Sequence, residues 1–410
     1  MLHQQPWFEL SHDRPGGAAR VCFVLPPTEC YSGSTGGAIS TVTRQLTRSL
    51  IELGHPVDVI TPDCDGTHYA DGDVHVLEYG TPTGCGGAIR KSIAHKGLVL
   101  EARLRKWSWP DYGSYLRKVL RQLDQLVTPD LVIVANDPEL AHRLHGEGIG
   151  RRQALWLHNQ MEGKEARRLH DLAAEVSLVA VSQSVATWTS KTYGIPAEAI
   201  SVVHNGVDLE EFHPRDGFLR PTSPVRVICH GRIDPNKGHD IAARAVAVLR
   251  GKGLPVTFTM VGAVQTFGIP EAHARAFAEE LAAATAEAGG TSTGRIPADQ
   301  VAAVLREHDI ACVLSKSEEP FPLSLLESMA SGCAVITTTR GGIKEAAGDA
   351  GLVVGVDDVD GVASAIESLI TDPMLLAERK ASARARAESF TWEKSARTLE
   401  SVIEAAGRRR

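Results

Sequence analysis

The sequence predicts an α/β protein built from two consecutive units, each a parallel β-sheet layered with helices. The chain has 410 residues, more than the roughly 100–200 of a single domain. Short apolar runs bounded by glycine or proline alternate with amphipathic stretches, the order of β-α-β units. That order occurs twice, before and after a proline- and turn-rich joint, FHPRDGFLRPTSP.

After a polar lead-in, Arg20-VCFVLPP reads as a buried strand that ends at a proline pair. A glycine- and serine-rich loop, YSGSTGGAIS, leads into an amphipathic helix through TVTRQLTRSLIELG that stops at Gly54. PVDVITP is the next strand, and buried strands follow at Asp130–Asn136, Ala154–Asn159, Ser177–Ser182 and Ile200–Asp208. Between Tyr69 and Gln125 the pattern is irregular, with a glycine loop, a basic helical stretch from Arg90 to Lys106, then Trp107, Trp109 and Tyr112. This reads as an insertion whose helix has a solvated face. In the second set, strands fall at Val225–Gly231, Val256–Gly262, Ile310–Ser315, Ala334–Thr338 and Gly351–Gly355. The alanine- and glutamate-rich stretch Ala272–Ala288 is a helix, because those residues are strong helix formers.

Hydrophobic residues at 43% and charged residues at 23% are ordinary for a globular protein with a sizeable core, which excludes a disordered chain. A net charge of -7 argues against a nucleic-acid partner. The seven cysteines are scattered without a Cys-x-x-Cys pair, so neither a disulfide framework nor a thiolate metal site is indicated. No apolar run is long enough to span a bilayer, and the first residues lack the design of a signal peptide. The expected setting is cytoplasmic, without stable membrane insertion.

Two clusters carry chemistry. Gly231-Arg232-Ile-Asp-Pro-Asn-Lys237-Gly238 follows a strand directly, and a turn at the carboxyl end of a parallel strand is where α/β sheets take anionic ligands. Arginine offers a planar fork of donors and lysine a point charge, a pair suited to a diphosphate; a surface turn with two solvated cations would present the same residues. The second cluster runs from Ser317 to Gly332 and contains Glu319, Phe321, Pro322, Leu323, Ser324 and Glu327. Pro322 suits the first helical position, so the N–H groups of Leu323 and Ser324 would face the mouth of the sheet with the positive end of the helix dipole. Glu319 and Glu327 are then placed to reach one ligand, although a capping carboxylate and an exposed helical glutamate would look alike in sequence.

The Glu319-x7-Glu327 spacing, preceded by Gly231-Arg232-x4-Lys237-Gly238, resembles retaining glycosyltransferase family 4, whose fold is GT-B. Matching pieces lie in order along the chain: Gly36-Gly37, the His158 segment, His204-Asn-Gly-Val-Asp208, Gly341-Gly342-x-x-Glu345, and Phe390-Thr391-Trp392 before a last helix. The resemblance implies two Rossmann-like parallel-sheet domains facing across a cleft. Residues 1–214 would bind the acceptor and 225–390 the donor, with 391–410 a helix crossing back to the first domain. It implies that Arg232 and Lys237 hold the diphosphate of a nucleotide sugar, Glu327 the ribose and Glu319 the hydroxyls of the donor sugar. His158 would lie near that sugar, while Gly36 and Gly37 let the backbone approach the diphosphate or acceptor. Arg295 and Ile296 fall where the family's backbone meets the base, and Phe321, Leu323 and Ser324 belong to the donor site.

Departures from the family pattern are Pro322, where a glycine is usual, and Met260-Val-Gly-Ala-Val-Gln265, which lacks a second glycine. No carboxylate is a convincing nucleophile, so the expected chemistry is front-face transfer with retention, without a metal ion or any other cofactor. A UDP-sugar is the preferred donor. The preferred acceptor is a small soluble molecule, a cyclitol, an aminocyclitol or another sugar, in keeping with specialised metabolism. A membrane-lipid acceptor, a nucleotide-sugar epimerase of the same fold and a non-catalytic nucleotide-sugar sensor are the alternatives, and oligomeric state, a homodimer included, is left open.

Overall fold

The computed structural model describes residues 18–33, 37–63, 66–78, 112–149, 153–162, 168–264 and 270–408. Gly36 and the basic stretch Arg90–Lys106 lie outside the described residues. By its contacts the chain forms two compact units, one of Met1–Ala154 with Ser401–Arg410 and one of Leu155–Glu400.

Seven strands make the first sheet: β1 (Val21–Val24), β2 (Val57–Pro62), β3 (Asp73–Leu77), β4 (Leu131–Ala135), β5 (Gln153–Leu157), β6 (Ser177–Ala180) and β7 (Ile200–Val202). Their order is β3-β2-β1-β4-β5-β6-β7, with β1 parallel to both β2 and β4. The central strands are buried on both faces, which is why they read as unbroken apolar runs. β3 is an edge strand with alternating, half-exposed residues, and its sequence DVHVL therefore carries no such run. Helix Gln183–Tyr193 shows the local logic of the connections: Ser182 caps it by accepting the Val185 N–H at 3.1 Å, and Gly194 ends it in the left-handed region.

The second sheet has six strands: β8 (Val225–His230), β9 (Val256–Val261), β10 (Thr291–Ser292), β11 (Ile310–Val313), β12 (Ala334–Thr337) and β13 (Leu352–Val353). Their order is β10-β9-β8-β11-β12-β13. Val227, Phe258, Ile310 and Ile336 from this sheet pack with Ala242, Val246 and Leu249 of helix His239–Gly251 and with Val362, Ile366 and Leu369 of helix Val359–Thr371. Asp358 and Asp372 cap helices Val359–Thr371 and Pro373–Ala387, the second with proline at its first position. The scattered cysteines predict free thiols, and among the described residues four are buried and free, but Cys30 is disulfide-bonded. Spacing along the chain does not report which cysteines a fold brings together.

The joint before β8 is held by a buried charge pair. Lys380, on helix Pro373–Ala387, donates to Asp309 Oδ1 at 2.6 Å and to the Phe218 carbonyl at 2.7 Å. Asp309 also accepts the Arg226 N–H at 3.1 Å and the Thr222 hydroxyl, so both carboxylate oxygens are satisfied. Burial pushes the Asp309 carboxyl up, but Lys380 and these donors outweigh it and hold it below its ordinary value. Its contribution to stability is therefore complete above the ordinary value of 3.8 and is lost as pH falls through the lowered one. Replacing Lys380 by Met leaves a buried carboxylate without its cation. The expected loss is about 3–5 kcal/mol, read as a lower urea midpoint at neutral pH, and the variant should lose the wild type's extra destabilisation in acid that belongs to this pair.

Candidate active site

The strand order of the second sheet turns between β8 and β11, with β9 and β10 beyond one and β12 and β13 beyond the other. Loops leaving the carboxyl ends of such a pair diverge and open the crevice in which α/β sheets take ligands. The loop after β8 carries Arg232, Asp234 and Lys237, and the loop after β11 carries Ser315 and Glu319. Glu327 follows on helix Leu323–Ala330.

The two loops touch. Gly238 has φ +70°, and a Cβ there would stand 2.3 Å from the Leu314 carbonyl oxygen, so only glycine lets the β8 loop lie against the end of β11. This approach brings Lys237 Nζ to 2.5 Å from Glu319 Oε1, which also accepts the Ser315 hydroxyl at 2.8 Å. Arg232 donates its Nε to Asp234 Oδ2 at 2.8 Å, while Asp234 Oδ1 accepts the Asn236 N–H at 2.8 Å. Asp234 is buried but the Arg232 side chain is 57% exposed, so the carboxylate fixes one edge of a guanidinium that still faces solvent.

Helix Leu323–Ala330 begins after Pro322, which is its cap residue and supplies no side-chain acceptor. The first N–H groups of a helix have no intrahelical partner, so those of Leu323 and Ser324 present donors and the positive end of the dipole. Glu327 Oε2 lies 3.0 Å from His230 Nε2, at the end of β8. Phe321 takes a different place from a ligand contact: its side chain is 2% exposed and packs against His204 and Phe390 at ring distances of 4.9 and 5.2 Å. Its carbonyl accepts the Asn205 side-chain N–H at 2.9 Å.

Gly341 and Gly342 support this loop from below. A Cβ on Gly341 would stand 2.2 Å from the Glu319 carbonyl oxygen, and one on Gly342 would stand 2.0 Å from that of Pro320. The Gly342 N–H donates to the Glu319 carbonyl at 2.6 Å. Three residues on, Glu345 accepts the backbone N–H groups of Gln183 and Ser184 and lies 2.5 Å from His204 Nε2. Burial pushes the Glu345 carboxyl up, but the His204 contact and these amides outweigh it and hold it below the usual range.

The other predicted residues fall at the ends of strands or, for Gly37, at the start of a helix. Arg295 is exposed and Ile296 half-buried in the loop after β10, which is held beside the end of β9 by Thr293 N–H to the Met260 carbonyl and Gly262 N–H to the Gly294 carbonyl. His158 follows β5, packs against Trp156 at 4.5 Å and is buried, which lowers its pKa to about 3. Gly37, in the first unit, gives its N–H to Glu29 Oε1 at 2.7 Å, and the same oxygen accepts the Ser40 N–H at 3.1 Å. The amide end of helix Ala38–Glu52 thus already holds a carboxylate, whose pKa burial raises. Glu29, Ser315 and His230 lie outside the motifs of the sequence, while Asp234 lies inside the Arg232–Lys237 cluster, where its spacing does not show that it holds Arg232. His230 has the one further mark of an imidazole closing the otherwise apolar end of VRVICH.

Among the described residues, no three or more His, Cys, Asp or Glu side chains are grouped to hold a metal ion, and no helix is long and apolar enough to cross a membrane.

Two family models match in succession: Glycosyltransferase Family 4 over residues 35–211 and Glycosyl transferases group 1 over residues 224–372. A D-inositol 3-phosphate glycosyltransferase of Rhodococcus erythropolis is 33% identical over 240 residues, which is 56% of this chain and 54% of that protein. The chain thus spans about half the length of that relative. Among solved structures, sucrose-phosphate synthase from Thermosynechococcus elongatus superposes with a TM-score of 0.73 at 17% identity, covering 94% of this chain and 98% of that one. The Anabaena protein HepE, in complex with UDP and glucose, gives 0.68 at 18% identity, with 94% and 100% covered.

The glycine pair makes a sharp test of this geometry. Gly342→Ala sets a methyl group against the Pro320 carbonyl and should lower stability by about 1–3 kcal/mol, read as a lower thermal midpoint. Lys344→Ala, two residues away on the exposed side of helix Ile343–Ala347, should leave the midpoint within a degree or so of wild type.

Proposed function

The chain belongs to glycosyltransferase family 4 and has its GT-B fold of two parallel-sheet domains, and on that premise we propose that it is a retaining transferase. It moves a sugar from a nucleotide-diphosphate sugar to a hydroxyl group of a small soluble acceptor. One observation carries this reading: a lysine and a carboxylate from the loops after β8 and β11 meet at 2.5 Å where the sheet order turns, beside the open amide end of a helix.

In the proposed reaction Arg232 and Lys237 hold the diphosphate. As a phosphate oxygen takes up Lys237, Glu319 is partly released and accepts hydrogen bonds from the hydroxyls of the donor sugar. The bond between the anomeric carbon and the diphosphate oxygen then breaks, and the leaving phosphate gains negative charge. Two cations and the N–H groups of Leu323 and Ser324 stabilise that charge more in the transition state than in the ground state. The acceptor oxygen attacks on the face the phosphate leaves, through a short-lived oxocarbenium-like state, and its proton passes to a phosphate oxygen. Configuration is therefore retained without a protein nucleophile, and the two cations fill the role that a metal ion plays elsewhere.

Glu327 receives the ribose hydroxyls, and the loop of Arg295 and Ile296 lies toward the base. His158, with its pKa lowered to about 3, is neutral at physiological pH and so recognises a sugar hydroxyl by hydrogen bonding and not by charge. UDP is the nucleotide to test first, because a protein of the same fold holds UDP and glucose. A cyclitol heads the acceptor candidates, supported by the relative named for D-inositol 3-phosphate. An aminocyclitol or another sugar follows, and a soluble site of action is part of the same proposal.

A thermal-shift screen against UDP, GDP, ADP, dTDP and their common sugars tests the donor reading. A ligand that binds only the folded chain at a hundredfold excess over its Kd stabilises it by about 2.7 kcal/mol. One nucleotide should raise the midpoint clearly; no shift with any of them on folded protein overturns the donor site. With the donor identified, Lys237→Ala should lower kcat by about 10²–10³-fold in a variant that still folds, as read by a cooperative thermal transition. Unchanged turnover would remove the diphosphate role of Lys237.

A further inference from the structure

His230 is the last residue of β8, and its side chain is only 5% exposed. Burying an imidazole at the end of an apolar strand is unfavourable unless its nitrogens find partners. Their nearest partners lie on a single helix. Nε2 lies 3.0 Å from Glu327 Oε2. Nδ1 lies 3.5 Å from the Ser328 hydroxyl, whose one hydrogen is shared between this nitrogen and the Ser324 carbonyl, 2.8 Å away in the first turn of the same helix. The end of β8, just before Gly231-Arg232, is thus joined to the helix that carries Glu327, chiefly through that carboxylate.

We propose that His230 is a positioning residue for nucleotide recognition. It donates its Nε2–H to one oxygen of Glu327, fixes the plane of that carboxylate and leaves Oε1 to accept the hydroxyls of the donor's ribose. A glutamate side chain has three rotatable bonds and loses that freedom when it binds a ligand. A carboxylate already held by His230 has less to lose, so the ligand binds more tightly. Glu327 is half-buried, with its side chain 22% exposed, so a free oxygen is reachable from solvent while the other is tied back. The contact also makes His230 a determinant of sugar specificity within the nucleotide, because a fixed acceptor discriminates a 2′-hydroxyl from its absence better than a mobile one. This inference rests on the assignment of Glu327 to the ribose.

Calorimetric titration of the full chain with UDP and with 2′-deoxy-UDP tests it, using the matching pair if another base gives the largest thermal shift. The variants are His230→Leu, His230→Gln, Glu327→Gln and the His230→Leu, Glu327→Gln double. His230→Leu should weaken UDP about tenfold and shrink the penalty for the missing 2′-hydroxyl, with the kinetic effect falling on the donor KM and not on kcat. His230→Gln, whose amide can donate to the same oxygen, should restore most of the affinity. The double variant should bind UDP no more weakly than Glu327→Gln alone, because a positioning residue acts only through the group it positions.

If Glu327→Gln weakens UDP while His230→Leu does not, or if the two losses simply add, the positioning role is overturned and the ribose assignment stands. If Glu327→Gln leaves both nucleotides unaffected, the ribose assignment itself fails and the inference falls with it. Should His230→Leu fail to fold, the Gln variant carries the test: a tenfold weaker UDP affinity in that variant, with the ligand-free midpoint unchanged, overturns the proposal.

Discussion

The carboxylate of Glu345 ties together three stretches of chain that are far apart in sequence. It accepts two amides at the start of helix Gln183–Tyr193 and meets the ring of His204. A carboxylate at a helix N-terminus is favoured by the dipole as well as by the hydrogen bonds. The ring of His204, held on one side by Glu345, packs on Phe321, and the neighbouring Asn205 holds the Phe321 carbonyl. On the other side of the same loop, the glycine pair that precedes Glu345 presses on the backbone of Glu319 and Pro320. The segment that carries Glu319 is therefore gripped from two directions, and Glu345 belongs to both grips.

That rigidity matters for the charges mounted on it. Each cation assigned to the diphosphate is already paired with a carboxylate: Lys237 with Glu319, and Arg232 with Asp234. Such pairs hold the cations in place before a ligand arrives, so less reorganisation accompanies binding. The two pairs are not equivalent. Asp234 is buried and also fixes the turn through the Asn236 amide, so the oxygen that meets Arg232 is itself held in place. Glu319 holds Lys237 from across the crevice and also accepts the Ser315 hydroxyl, so that carboxylate has two partners.

The first unit handles its helix end differently. The glycines of the YSGSTGGAIS loop lead sequence reasoning to an open backbone, yet the amides of Gly37 and Ser40 are taken by Glu29. An anion approaching this end meets a carboxylate first. With the burial-raised pKa of Glu29, the local field depends on whether that group carries its proton.

By itself the sequence determined the two α/β units, because strand and helix periodicities are local and the central strands are buried on both faces. It likewise placed Arg232, Lys237, Glu319 and Glu327, since each stands at a fixed offset from the end of a strand that is legible as an apolar run. It missed the edge strand β3, whose half-exposed residues lack such a run. Only the tertiary structure decided what those side chains meet. Lys237 reaches Glu319 across 82 positions, His230 reaches Glu327 across 97, and His204 reaches Glu345 across 141. A period of two or of 3.6 residues carries no information over such distances. The first two pairings follow from the order in which strands are laid into a sheet, which sets β8 beside β11 and brings the segments that leave them into contact.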